Sequence, residues 1–465
     1  VTMEAAKPIV PPDVVRTRFS RAMSDLYRAE VPQYGTLMEL VRAVNGDTRR
    51  TDAALDRRLR DNGEIERLDL ERHGAIRVGT AAELATLRRL FAVMGMVPVG
   101  YYDLSVAGVP VHSTAFRPVE ADSLRRNPFR VFTSLLRLDL VGDEALRSEA
   151  AGILARRAIF TPACLDLIDR AEREGGLDEE EADRFVAEAL ETFRWHSEAT
   201  VSAEIYARLR RAHPLVADIV CFKGPHINHL TPRTLDIDAV QDEMPARGIA
   251  PKAIIEGPPR RRVPLLLRQT SFRALREPIR FRTGDGPAED GTHTARFGEI
   301  EQRGAALTRK GRALYDRLLA EVRDRVQVAS DGAHAAAYTA ALADAFRAFP
   351  DDEDAMRAAR LAYFRYAPTT KPGAPPDADL AALVASGHVA AEPLTYEDFL
   401  PVSAAGIFSS NLGDEGQRNH AQHAAKAAFE RDLGAEVADE DALYAAAEAK
   451  SVAATLAVLA ARAAA

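Results

Sequence analysis

Three short runs of this chain place a histidine or a glutamate where a buried β-strand would ordinarily put an apolar side chain. They are Glu71-Arg72-His73-Gly74-Ala75-Ile76-Arg77, Gly224-Pro225-His226-Ile227-Asn228-His229-Leu230 and Arg296-Phe297-Gly298-Glu299-Ile300-Glu301-Gln302-Arg303. The runs lie far apart in sequence. A fold that uses them together must pair distant strands and turn one face of each towards a common point. Side chains alternate along a strand, so residues i, i+2 and i+4 share a face. Two histidines and one carboxylate on separate strands, with open positions opposite, form the ligand set of non-haem Fe(II) and O2 chemistry.

In the first run His73 and Arg77 are four apart and can point into one interior. His73 can then hold a metal while Arg77, whose planar fork suits a carboxylate, holds an acidic substrate. The plainer reading is a surface arginine beside a half-buried histidine. The second run offers His226 and His229, which face opposite ways on a continuous strand. Pro225 cannot donate to a ladder, so the strand is expected to start at Ile227. That puts His229 inside it as the favoured ligand and His226 at its mouth, behind the ligands or against substrate. Asn228 and Thr231 read as ordinary polar strand residues. In the third run Glu299 and Glu301 share a face. Acidic side chains are uncommon in strands unless exposed or paired, which leaves a solvated outer face and a metal-facing one as the two readings.

Bulk properties remove several function classes. The formal net charge of the 465 residues is -8, which argues against nucleic-acid binding, normally marked by a basic domain or stripe. The two cysteines, Cys164 and Cys221, fit no CxxC pattern and are expected to be buried free thiols of a reducing cytoplasm. No run of about 18 uncharged apolar residues occurs, so no transmembrane helix and no membrane partner are expected. The N-terminal residues lack the charged-then-apolar order of a signal peptide. No GxSxG, P-loop, Rossmann glycine pattern or HExxH is present.

Apolar periodicity predicts helices over 13–60, with Leu37, Leu40, Val41 and Val44 on one face. A strand is predicted at His73–Val78 and a helix at Ala81–Met94, opened by a Thr80/Glu83 capping box. Further strands are predicted at Tyr101–Leu104, Val109–Phe116 and Arg130–Leu138. A helical block over 144–212 takes in Trp195-His196, read as helix packing. Strands follow at Ile219–Phe222, Ile227–Thr231, Val263–Gln269, Ile279–Arg282 and Ala295–Arg303, with a helix at Ile237–Arg247. Arg260-Arg261-Arg262 reads as a solvated turn and His293 as an exposed loop residue. Residues 305–365 turn helical, and an Ala-rich tail beyond about 416 reads as one or two helices. The division expected is a helical segment (1–62), a first metal-site module (63–140), a helical insertion (141–214), a second module (215–304), a helical segment (305–370) and a C-terminal segment (371–465).

The three runs and their order resemble the vicinal oxygen chelate superfamily, which builds a metal site from βαβββ modules. Phe297-Gly298-Glu299-Ile300-Glu301-Gln302-Arg303 is similar to the Phe-x-Glu-x-x-Gln-Arg ligand strand of 4-hydroxyphenylpyruvate dioxygenase, which puts the ligand on Glu299. Ile227-Asn228-His229-Leu230 resembles the superfamily's Asp-His-hydrophobic strand, which favours His229 over His226. Longer runs resemble one family, the 2-oxoadipate dioxygenase/decarboxylases (bacterial hydroxyglutarate synthases) of lysine catabolism. These are Phe222 through Arg233, Leu267-Arg268-Gln269-Thr270-Ser271-Phe272, and Pro401-Val402-Ser403-Ala404-Ala405-Gly406-Ile407-Phe408.

The resemblance implies an α+β fold, with two such modules forming a curved sheet around a metal and large helical insertions. It implies an Fe(II) site of His73, His229 and Glu299, with Arg77 binding the distal carboxylate of a 2-oxo diacid and Val402–Ser403 lining the pocket. The reaction implied is 2-oxoadipate plus O2 giving 2-hydroxyglutarate plus CO2. The alternative is a metal-dependent isomerase or lyase of the same superfamily that acts on another 2-oxo acid without O2.

Overall fold

The structure is a computed structural model that describes residues 8–272, 274–282, 288–294, 296–326, 333–375, 377–400 and 415–464, with side chains left undescribed over 415–423 and at 464. The expected pocket residues Val402 and Ser403 lie outside the described residues. The chain divides into two compact units. One comprises Val1–Lys252, Thr270–Glu301 and Phe399–Ala438, the other Ala253–Gln269, Gln302–Asp398 and Asp439–Ala465.

The first unit opens with helices Pro12–Glu30, Pro32–Thr51 and Ala53–Asp61, the first two starting on a proline. Proline is tolerated there because its missing N–H has no helical partner at that position. Strand β1 (Arg72–Val78) leads into helix Ala81–Val93, and β2 (Val97–Asp103), β3 (Val111–Arg117) and β4 (Arg130–Leu136) follow. The expected capping box opens the helix: Thr80 Oγ1 accepts from the Glu83 N–H while Glu83 accepts from the Thr80 N–H. The strand order across the sheet is β2-β3-β4-β1-β5, where β5 is Leu230–Pro232. β1 runs parallel to β4 and antiparallel to β5, with His73 opposite Thr231. The first stretch is therefore a βαβββ unit whose first and last strands lie side by side.

The second strand-rich stretch repeats part of this plan. β6 (Leu267–Ser271) pairs with β9 (Glu299–Arg303), and β7 (Glu277–Phe281) forms a hairpin with β8 (Glu289–His293). The continuation of β5 makes a parallel bridge from Arg233 to Glu301. So β5 and β9, the first and last strands of the second stretch, again run parallel. The antiparallel β1–β5 pair sets the opening strands of both stretches next to one another. α+β is the observed class.

Several expected elements differ. Ile219–Phe222 is not a strand: helix Pro214–Val220, started by Pro214 and capped by His213, whose Nδ1 accepts from the Leu215 N–H, takes its first two residues, and Phe222 makes only an isolated bridge to Ala199. A short apolar run fits either period, and here the cap decided. The strand expected at Ile227–Thr231 shrinks to Leu230–Pro232, so His229 lies one residue before it. Of the preceding residues, Ile227 donates its N–H to Phe193 O, outside the sheet, and Asn228 donates to Ala75 O of β1 without forming a regular ladder pair. Trp195 and His196 fall after the helices, in irregular backbone. His293 is no exposed loop residue; it ends β8 and is 4% exposed. Both cysteines are buried and free.

In the second unit Arg261 is not solvated. Its guanidinium is buried and donates to the carbonyls of Phe346 and Phe349. Strands β10 (Phe364–Pro368) and β11 (Val389–Pro393) pair antiparallel. Helix Glu440–Ala464 packs on β10: Glu448 accepts from the Phe364 N–H, Ser451 Oγ from the Tyr366 N–H, and Thr455 donates to Tyr366 O. Its span Glu440–Ala463 is long and apolar enough to cross a membrane by length and composition. A search for uncharged runs passes it over because Glu448 and Lys450 interrupt it.

Candidate metal centre

β1, β5 and β9 bring the three runs together in the first unit. One donor atom each from His73, His229 and Glu299 lies within 4.8 Å of the others, and all three residues are buried. His73 Nε2 is 3.1 Å and His229 Nε2 3.5 Å from Glu299 Oε2. His226 stands outside this cluster. The register explains the convergence. His73 pairs with Thr231 across β1–β5, and the Thr231 hydroxyl donates to Glu299 Oε2 at 3.1 Å from the neighbouring strand.

Glu301 shares the face of Glu299 but sits behind the cluster. Its Oε2 is 2.9 Å from His73 Nδ1. A carboxylate there favours a proton on Nδ1 and leaves the Nε2 lone pair facing the other donors. Burial pushes the His229 imidazole down to about 4, against the opposing pull of Glu299, so it is neutral and has a lone pair to give at neutral pH. Burial would lower His73 too, but the charges and hydrogen bonds of Glu301 and Glu299 outweigh it and raise its pKa. Two imidazoles and one carboxylate, buried and convergent, suit a divalent transition metal and leave coordination positions for small molecules.

Aromatic walls surround the donors. The Phe399 ring stands edge-on to His73 with centroids 4.9 Å apart, and Phe297 lies 4.8 Å from His229. Tyr27, on the first helix, ties the ligand segments together: its hydroxyl is 2.7 Å from Phe297 O and 3.1 Å from Asn228 O. None of these roles shows in the local sequence, because each depends on an element remote in the chain.

Gly74 sets the spacing between His73 and the His229 segment. A Cβ there would lie 2.5 Å from Ile227 Cδ1 and 3.2 Å from His229 O. Gly74→Val is therefore expected to push the His229 segment away from β1. The expected result is a stability loss of about 1–3 kcal/mol with metal content well below that of the unaltered protein, read by thermal unfolding and elemental analysis. Full metal loading in a folded variant would refute it.

Arg77 shares the β1 face of His73, beyond Ala75. Its Nη1 donates to Asp218 Oδ2 at 2.8 Å, and its side chain is 21% exposed. Asp218 Oδ1 is 2.9 Å from His293 Nε2 and 3.5 Å from His226 Nε2, while His293 Nδ1 meets the Tyr206 hydroxyl at 2.8 Å. Trp195 packs edge-on to His226 at 4.7 Å and parallel to His293, under the Arg296 guanidinium. His226, His293, Asp218 and Trp195 thus form a second polar cluster beside the metal cluster. Sequence reading found only His226 as part of it.

The βαβββ order and a buried His-His-Glu cluster define an α+β protein with a candidate mononuclear metal site. Residues 19–411 match the family described as 2-oxoadipate dioxygenase/decarboxylase. A relative of that name from Pseudomonas putida is 59% identical over 452 residues, 96% of this chain and 97% of the relative. One from Escherichia coli is 57% identical over 444 residues, covering 94% of this chain and 97% of the relative. The fold also matches the crystal structure of hydroxyglutarate synthase in complex with 2-oxoadipate from Pseudomonas putida. The TM-score is 0.90 at 57% identity, covering 98% of this chain and all of that one. The chain belongs to the 2-oxoadipate dioxygenase/decarboxylase family.

Proposed function

We propose that this protein is an Fe(II)-dependent dioxygenase that converts 2-oxoadipate and O2 into 2-hydroxyglutarate and CO2. The observation that carries the reading is the buried convergence of His73, His229 and Glu299 in a chain so close to enzymes named for that activity. The parallel pairing of first and last strands in both stretches supports the vicinal-oxygen-chelate reading of the fold.

His73, His229 and Glu299 would hold the ion. Bound Fe(II) would supply a chelation site for the 2-oxo acid and the electrons that activate O2. The protein supplies the rest. Glu301 holds His73 in one tautomer, Phe399 and Phe297 keep water from two faces of the ligands, and Arg77 offers its fork to the distal carboxylate. The test is anaerobic loading with Fe(II), then 2-oxoadipate, then air, with O2 uptake, CO2 and 2-hydroxyglutarate measured. Equal amounts of O2 consumed and CO2 released are expected. Turnover under strict anaerobiosis would overturn the reading in favour of an isomerase or lyase, and full O2 uptake by zinc-loaded, iron-free protein would overturn the Fe(II) dependence.

Metal uptake is also expected to depend on pH in one direction. The raised His73 pKa means that in the metal-free protein an ion competes with a proton below that value. His229, pushed down to about 4, and Glu299, whose carboxylate is lowered as the charges and hydrogen bonds of the two histidines outweigh its burial, do not compete near neutrality. Affinity is expected to fall about tenfold per pH unit below the His73 pKa and to level off above it. Chelator competition with Co(II) across that range measures it, and a flat profile would contradict the ligand set.

A further inference from the structure

We propose that Asp218 is a positioning residue that fixes the Arg77 guanidinium for the substrate's distal carboxylate. The proposal rests on the reading of Arg77 given above and adds what makes that arginine selective.

Asp218 lies on helix Pro214–Val220 and is 7% exposed. Its two oxygens are divided between different partners. Oδ2 accepts from Arg77 Nη1, and Oδ1 accepts from His293 Nε2. His293 is itself held: the ionised Asp218 can only accept, which puts a proton on Nε2, and Nδ1 lies 2.8 Å from the Tyr206 hydroxyl. The chain Tyr206–His293–Asp218–Arg77 thus runs from helix Ala203–Ala212 through β8 and helix Pro214–Val220 to β1. Burial alone would raise the Asp218 pKa; the neighbouring histidines, with the hydrogen bond from His293, and the Arg77 charge outweigh it and keep the carboxyl ionised.

The consequence for Arg77 is geometric. Its pairing with Asp218 uses Nη1. Nε and Nη2, the edge that grips a carboxylate side-on, donate to no described residue, and the side chain keeps some exposure. One edge is clamped and the other is presented. Arginine has about 2 kcal/mol of rotamer entropy to lose on being held, and the clamp removes part of that loss before substrate arrives.

Charge alone predicts the opposite outcome. An aspartate near the binding site of a dianion repels it, so a purely electrostatic Asp218 would weaken binding and its removal would strengthen it. Positioning predicts that removal weakens it. Asp218→Asn keeps the shape and removes the charge. The expected result is a KM for 2-oxoadipate raised about 10- to 30-fold, kcat changed less than about threefold, and no change for 2-oxohexanoate, the monoacid of equal length. Metal content is expected to stay constant. In an Arg77→Ala background Asp218→Asn is expected to add nothing further, because its effect runs through Arg77. Tyr206→Phe, a milder change at the far end of the chain, is expected to raise the same KM about threefold, which keeps the test open if Asp218→Asn is poorly soluble.

A lower or unchanged KM for the diacid, equal losses for diacid and monoacid, or an effect that persists without Arg77 would each overturn the positioning role and leave the reading of Arg77 standing. If Arg77→Ala alone keeps the preference for the diacid, the reading of Arg77 falls and the proposal with it. Lys252, whose charge also reaches Glu299, would then be the cation to substitute next.

Discussion

His229→Ala and Glu299→Ala are expected to purify with less than about a tenth of the metal held by the unaltered protein, whereas His226→Ala keeps most of it. Each of the first two supplies one of three donors that meet within 4.8 Å. With three protein ligands, loss of one leaves two, and water must replace a buried, preorganised donor. His226 instead borders Asp218, with its ring edge-on to Trp195. Its loss is expected to reduce turnover while leaving the ion in place. Glu301→Gln falls between these cases. It keeps the volume behind His73 but loses the charge that fixes the Nδ1 proton, at a cost of about 10- to 100-fold in metal affinity. Elemental analysis and chelator competition on the four variants decide the order. Metal loss in His226→Ala with retention in His229→Ala would reverse the ligand assignment.

Arg77→Ala is expected to lower kcat/KM for 2-oxoadipate by roughly two to three powers of ten, with metal content unchanged. His73 and Arg77 lie on one face of β1, four residues or roughly 13 Å apart at full extension. The arginine can lean back towards the ligands and shorten that gap to the length of a six-carbon diacid. Removing one partner of a buried carboxylate–guanidinium pair costs about 3–5 kcal/mol. The variant also leaves Asp218 without its Arg77 partner, so part of the loss belongs to the protein itself. The comparison substrate separates the two contributions. A monoacid of the same length suffers only the second, and equal losses on both substrates would show that Arg77 does not read the distal carboxylate.

Much of the metal cluster is legible in the sequence because it rests on strand alternation. His73 with Arg77, and Glu299 with Glu301, each share a face by spacing alone. The capping box at Thr80 and Glu83 is equally local, and it forms as expected. Errors gathered where short apolar runs met proline. Ile219–Phe222 has the composition of a strand, yet Pro214 and the His213 cap start a helix that carries Asp218 into the site. Ile227–His229 has strand spacing but falls short of regular pairing, because the Ile227 N–H turns to Phe193 O while the Asn228 N–H alone reaches back to β1 at Ala75 O. His229 still converges, standing one residue before β5 and so close to the Thr231 that faces His73.

By itself the sequence determined which residues can be ligands, which pairs share a face, and the family to which the chain belongs. All three are properties of residue identity at short spacing. Only the tertiary structure placed the donors between which the sequence offered no more than a preference. It set His229 rather than His226 beside Glu299, and it put Glu301 behind His73 rather than in the first position. It also took His293 from an expected loop role into a buried polar cluster with Asp218, against which the half-buried Trp195 packs from outside any helix. The physical reason is that these outcomes depend on the β1–β5 register and on a helix and a hairpin packed from distant parts of the chain. A periodicity of two or 3.6 residues carries no information about which distant element will lie opposite.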